Sequence, residues 1–185
     1  MPKALIAEAE RRMKAALSDL QTDLGTLRTG RASPALLDKL VVEYYGSMMP
    51  VSQLATISAP DPRQLLVSPF DKSLTGAIAN AISQSDLGVQ ASKDKDAVRV
   101  SIPALNEERR KEMVKLAGKK AEAHKVSIRN IRREINDSFK KMEKDGAISK
   151  DELGRHEGDV QKLTDRHIGE VDKIRSAKEA EIMEV

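Results

Sequence analysis

Six of the seven prolines in this 185-residue chain lie between residues 31 and 104. Proline has no amide donor and clashes with the preceding helical turn, so that section cannot be continuous helix, whereas its flanks can be. The chain is thereby cut into a helical start, a mixed middle and a helical remainder. The first cut lies in TLRTGRASPALL (26–37), where Arg28 and Arg31 flank Gly30. Proline disfavours the α region for the residue before it, so Ser33-Pro34 resists helix continuation.

The start, residues 2–29, is expected to be helix. Met13, Leu17, Leu20, Leu24 and Leu27 step by 4, 3, 4 and 3, the spacing of a bundle seam. Pro2 suits a first turn, and Gly30 is placed to close the helix in a left-handed conformation. A second helix is expected over 105–145, with Asn106 as N-cap and Glu107 and Glu108 at the positive end of the helix dipole. Met113, Leu116, Ala117, Ala121, His124, Ile128, Ile131, Ile135 and Met142 would line its buried side, and Gly118 inside it should cost about 1 kcal/mol against Ala. In KDGAIS (144–149), Gly146 ends that helix, and Ser149 with Glu152 forms a capping-box signature for the next. The last helix, 150–183, would bury Leu153, Val160, Leu163, Val171, Ile174 and Ile182.

Residues 31–104 read as short strands at 40–46, 54–59, 64–70, 88–92 and 97–102, with one helix at 72–83. The fold class expected is therefore α+β: an antiparallel three-helix bundle (1–30 plus 105–185) with a small inserted domain (31–104). At ~1.5 Å rise per residue the second helix would span roughly 60 Å, giving an elongated, angular molecule.

The chain has no Cys, no Trp, two Phe and two Tyr, which rules out a disulfide scaffold and an aromatic-rich core. Neither a phosphate-binding glycine loop nor a dinucleotide fingerprint occurs. His124 falls on the core face of its helix, and Glu152 with His156 reads as a surface i, i+4 contact. His156 and His167 stand eleven residues apart on one helix, roughly 16 Å, too far to share a metal. No catalytic constellation, metal site or cofactor is expected. The lack of a signal-peptide layout and of a membrane-length apolar run points to a soluble cytoplasmic protein.

Charge is unevenly placed. Residues 109–133 carry ten Lys or Arg against two Glu, residues 134–185 ten against fourteen acids, and 31–104 seven of each. A basic stretch on a near-neutral protein suggests an oriented encounter with a polyanion. Its centre is RNIRR (129–133): with Ile131 facing the bundle, Arg129, Arg132 and Arg133 project outward on neighbouring turns. Arginine's planar fork matches phosphate oxygens bidentately. The bland alternative pairs these arginines with Glu122, Glu134 and acids of the third helix. The scarcity of aromatics argues for recognition of shape and phosphates over base stacking. Two readings remain open on these grounds: a bundle that binds structured RNA and positions a movable second domain, or a coiled-coil scaffold for another protein.

RTGRASPALLD (28–38), VVEYYG (41–46), SDLG (85–88), NEERRKEM (106–113), RNIRR (129–133) and DVQKLTD (159–165) together resemble the ribosome recycling factor family of bacteria and organelles. The resemblance runs the full chain in one order, with Asn106 where the family usually has Thr; GRHEG (154–158) is assigned no role. It implies an L-shaped, tRNA-like outline with a three-helix bundle and an inserted β/α/β domain on two hinges, Gly30–Arg31 and Ile102–Pro103–Ala104. It also implies a monomer that acts with elongation factor G and GTP to split the post-termination ribosome. The bundle would bind large-subunit ribosomal RNA near the peptidyl transferase centre and intersubunit bridges. On the matching positions the RNA contacts would be Arg28, Arg31, Arg110, Arg129, Arg132 and Arg133.

Overall fold

A computed structural model describes residues 1–184. In chain order the elements are α1 (Pro2–Gly25), β1 (Val41–Tyr44), β2 (Ser47–Pro50), the single turn α2 (Val51–Leu54), β3 (Ala55–Asp61), β4 (Gln64–Pro69), α3 (Thr75–Ser83), β5 (Gln90–Asp94), β6 (Ala97–Ser101), α4 (Glu107–Lys144) and α5 (Lys150–Met183). The chain forms two compact units: Met1–Gln21 with Leu116–Lys178, and Thr22–Lys115 with the chain from Glu179 onward. All three boundaries fall inside the long helices. Among the described residues no helix is long and apolar enough to cross a membrane.

The first unit is a helical bundle. Its cross-helix contacts fix the sense of packing: Gly118 meets Arg175, Lys125 meets Asp172, Arg132 meets Gln161 and Phe139 meets His156. One number rises as the other falls, so α4 and α5 run antiparallel. Met13, Leu20, Ile128, Phe139, Val160 and Val171 are wholly buried between the helices. The turn between α4 and α5 is built as its residues dictate. Gly146 is left-handed (φ 77°), its N–H donates to Glu143 and that of Ala147 to Met142, which satisfies two helix-end carbonyls. Ser149 Oγ then accepts from the Glu152 N–H at 3.1 Å while the Glu152 carboxylate accepts from the Ser149 N–H at 3.2 Å, a complete capping box.

The expected seams hold with specific exceptions. Leu17 is only half-buried and Ala16 takes its place against the core; Met113, Met142, Leu153 and Ile174 are likewise half-buried, Leu116 is exposed, and Phe139 joins the core. His124 is half-buried and bonds the Lys120 carbonyl through Nδ1. His167 is buried, its Nδ1–H donating to the Leu163 carbonyl at 2.8 Å, since a carbonyl can only accept. His156 stacks on Phe139 at 5.0 Å between ring centroids. The Arg175 guanidinium lies over Gly118, where a Cβ would come within 2.8 Å of Nη2, so the glycine leaves room for that side chain.

In the second unit a four-stranded antiparallel sheet, order β3-β4-β6-β5, is accompanied by the β1–β2 hairpin. The core joins Leu65, Val67, Val98 and Val100 of the sheet to Ile78 and Ile82 of α3 and Leu37 and Val51 beside them. Three expectations change here. The strand expected at 40–46 ends at Tyr44 and turns back on itself as a hairpin, because Tyr45 and Gly46 both take positive φ (49° and 80°), the conformation a two-residue turn demands. The helix expected at 72–83 begins as a tight turn over 72–74, where the Asp71 carboxylate accepts from the Ser73 N–H and hydroxyl. The first helix stops at Gly25 instead of 29: Thr26 Oγ1 donates to Asp23 and the Leu27 N–H to Leu24, closing its carbonyls early. Gly30 is left-handed (φ 80°), but in the connection past the helix end.

Candidate nucleic-acid interface

The first unit carries the RNIRR segment in mid-α4, where buried Ile128, Ile131 and Ile135 fix which face turns inward. Arg132, Arg129 and Arg133 then occupy a strip running from the α5 side to the outer face. Much of the surrounding charge is neutralised locally. Lys125 is tied to Asp172 (2.6 Å) and Glu122 (3.4 Å), a pairing that raises its ammonium above the ordinary lysine range, chiefly through the Asp172 hydrogen bond. Glu134, a candidate partner for the patch, is taken by Arg12 at 2.6 Å. Among the described residues Arg129, Arg132 and Arg133 have no carboxylate partner. Arg133 reaches Asn130 at 3.4 Å, and Arg132 donates to Gln161 Oε1 at 3.2 Å. Gln161 in turn donates to Asp165 at 2.8 Å, so Arg132 is aimed by a neutral amide held in place. The i, i+4 spacing of Gln161 and Asp165 was visible in DVQKLTD; its link to Arg132 was not.

The other three candidates, Arg28, Arg31 and Arg110, lie in the second unit, around the segments 28–32 and 102–110. Arg28 donates from Nη2 to the Pro103 carbonyl (2.8 Å) and from Nη1 to the Gly88 carbonyl (3.3 Å). Burial, with the Arg109 charge nearby, pushes its guanidinium below the usual arginine range; it stays a cation at physiological pH. Gly88 has φ 67°, and a Cβ there would sit 2.8 Å from Arg28 Nη1, so only glycine allows the approach. Arg31 is exposed and pairs with Glu184 at 3.0 Å. Both segments are also pinned to the β3–β4 turn: the Ala32 N–H donates to the Pro62 carbonyl (2.6 Å) and the Ile102 N–H to that of Arg63 (2.9 Å). Ile102, expected as a pivot, is thus buried and bonded, while Pro103 and Ala104 are exposed. No group of residues able to hold a metal ion occurs among those described.

The family model described as ribosome recycling factor matches residues 20–183. The chain belongs to the ribosome recycling factor family. It is 52% identical over all 185 residues to the ribosome-recycling factor of Symbiobacterium thermophilum, with both chains fully covered. The solution structure of a ribosome recycling factor superposes with a TM-score of 0.75 at 40% identity, covering 100% of this chain and 98% of that one. A T. thermophilus ribosome recycling factor, described with E. coli elongation factor G on the E. coli post-termination complex, gives 0.68 at 46% identity with both chains fully covered. The α+β class, a helix bundle with a small sheet domain, is that of these family structures.

Proposed function

We infer that the chain recycles ribosomes after termination, splitting the post-termination ribosome together with elongation factor G and GTP and freeing it from messenger RNA. The observation that carries this reading is the full-length relation to ribosome recycling factors, one of which is described with elongation factor G on a post-termination complex. The arginine strip gives it a physical means: three guanidinium groups without carboxylate partners can exchange water for RNA phosphate oxygens without first breaking an ion pair.

In this reading residues 1–30 with 105–185 are the ribosome-binding part, and 31–104 the part that the elongation factor moves. Arg129, Arg132 and Arg133 grip large-subunit RNA, with Arg28, Arg31 and Arg110 close to the pivot. Since Ala32 and Ile102 are bonded to the β3–β4 turn, rotation is confined to Gly30–Arg31 and Pro103–Ala104. The chain works in the cytoplasm as a mechanical part and makes or breaks no bond of its own; the GTP is the elongation factor's. The test is large-subunit binding by Arg132→Ala across a salt titration. Affinity should fall and the salt slope shrink by up to about 1. An unchanged affinity and slope would remove the strip from the interface.

A further inference from the structure

A cleft of about 170 Å³ opens in the second unit beside the β3–β4 turn, lined by Gly30, Arg31, Pro62, Arg63, Arg110 and Glu184 among others. Among the described residues its charge is lopsided: three arginines face one carboxylate. Glu184 is taken by Arg31. Arg63 and Arg110 have no side-chain hydrogen bond or ion pair among the described residues, and Arg110 Nε is fully shielded from solvent without an acceptor. A shielded charged N–H without an acceptor has lost its water and gained nothing in return, which proteins normally avoid. The acceptor that satisfies such a group best is an anion with several oxygens, because a guanidinium presents paired, coplanar donors.

We propose that this cleft is a phosphate-binding site in which Arg63 and Arg110 hold the phosphate group and Glu184 acts as an internal competitor for Arg31. The Glu184 carboxylate stands for the anion: it occupies one of the three guanidinium groups and leaves two unfilled. When a phosphate enters, Arg31 can turn from Glu184 to the ligand. Where the phosphate belongs to ribosomal RNA, the site rests on the RNA-binding reading above and adds an anchor beside the pivot; a free phosphate compound would occupy it independently of that reading.

The probe is pyrophosphate at low salt, followed through the Nε–H resonances of the arginines by NMR. Arg110 and Arg63 should shift with a saturating curve. Arg63→Ala should weaken binding by roughly tenfold, the worth of one charge-assisted hydrogen bond, and Glu184→Gln should tighten it. Arg63 is exposed, so its removal leaves the fold intact. Large-subunit binding by Arg63→Ala then identifies the source. A smaller salt slope assigns the phosphate to RNA, and an unchanged slope with pyrophosphate binding intact in the parent chain assigns it to a free compound; either supports the site. Failure of the arginine resonances to move, or equal movement in Arg63→Ala and Glu184→Gln, overturns it. If Arg132→Ala binds the subunit normally while pyrophosphate still titrates Arg110, the RNA reading fails and the phosphate site stands.

Discussion

Arg28 Nη2 donates a 2.8 Å hydrogen bond to the carbonyl of Pro103, 75 residues further along the chain. A side chain from the segment after α1 thus holds the backbone of the segment after β6. Its other terminal nitrogen reaches the Gly88 carbonyl, so the three strands of chain are tied through one guanidinium. TLRTGRASPALL therefore has a task beyond making a turn: it supplies a guanidinium that clamps two distant segments of the second unit.

That clamp should make two glycines behave differently. Gly46 and Gly88 are both left-handed, but an added Cβ meets nothing within 4 Å at Gly46 and lies 2.8 Å from Arg28 at Gly88. Gly46→Ala should cost about 1–2 kcal/mol from backbone strain alone. Gly88→Ala should cost more, because it also displaces Arg28. In the Arg28→Ala background the extra cost should disappear, leaving the two glycine variants equal in urea denaturation.

Gln161 should act through Arg132. Gln161→Ala is expected to weaken large-subunit binding two- to tenfold, the worth of about 0.5–1.5 kcal/mol for one hydrogen bond. In an Arg132→Ala background the same change should have almost no effect. Additive losses in that double-mutant cycle would show that Gln161 does not position Arg132.

Buried seam residues should affect stability and little else. Leu20→Ala and Ile135→Ala should each cost roughly 2–5 kcal/mol, whereas Leu17→Ala, at a half-exposed position, should cost less than either. Chemical denaturation gives the order. A stable Ile135→Ala chain with specifically lost ribosome binding would mean that the outward face of α4 is misassigned.

Local signals made the bundle legible. The steps of Leu20 and Leu24, the Gly146 stop and the Ser149–Glu152 box all act within one or two helical turns, where sequence spacing is spatial distance. What was missed depends on partners far along the chain. Ala16 displaced Leu17 from the core through the packing of three helices, which no single seam reveals. The hold of Arg28 on the carbonyls of Gly88 and Pro103 joins residues 60 and 75 positions apart, so no local pattern announces it. Arg63 and Glu184 carry no local sign at all, since they meet Arg31 only once the chain has folded. The β1–β2 hairpin was hidden for a different reason: Tyr45 is a poor candidate for positive φ, and YYG reads as the end of a strand.

A covalent lock between residues 25 and 35 tests the proposed movement directly. A Cβ built on Gly25, at the end of α1, would lie 3.2 Å from that of Ala35, a few tenths of an ångström inside the usual disulfide separation of about 3.5–4.5 Å. In this cysteine-free chain the Gly25→Cys/Ala35→Cys pair should therefore cross-link on oxidation. The oxidised protein should keep large-subunit binding and lose splitting, and reductant should restore it. Equal splitting by the oxidised and reduced forms would rule out rotation about Gly30–Arg31.

Light scattering of purified post-termination ribosomes measures the splitting itself. The chain together with elongation factor G and GTP should dissociate the 70S particle into subunits, whereas the chain alone, or the factor with GTP alone, should leave it largely intact. Arg129→Ala/Arg132→Ala/Arg133→Ala should require a much higher concentration for the same rate. If the chain adds nothing to the rate produced by elongation factor G and GTP, it does not recycle ribosomes.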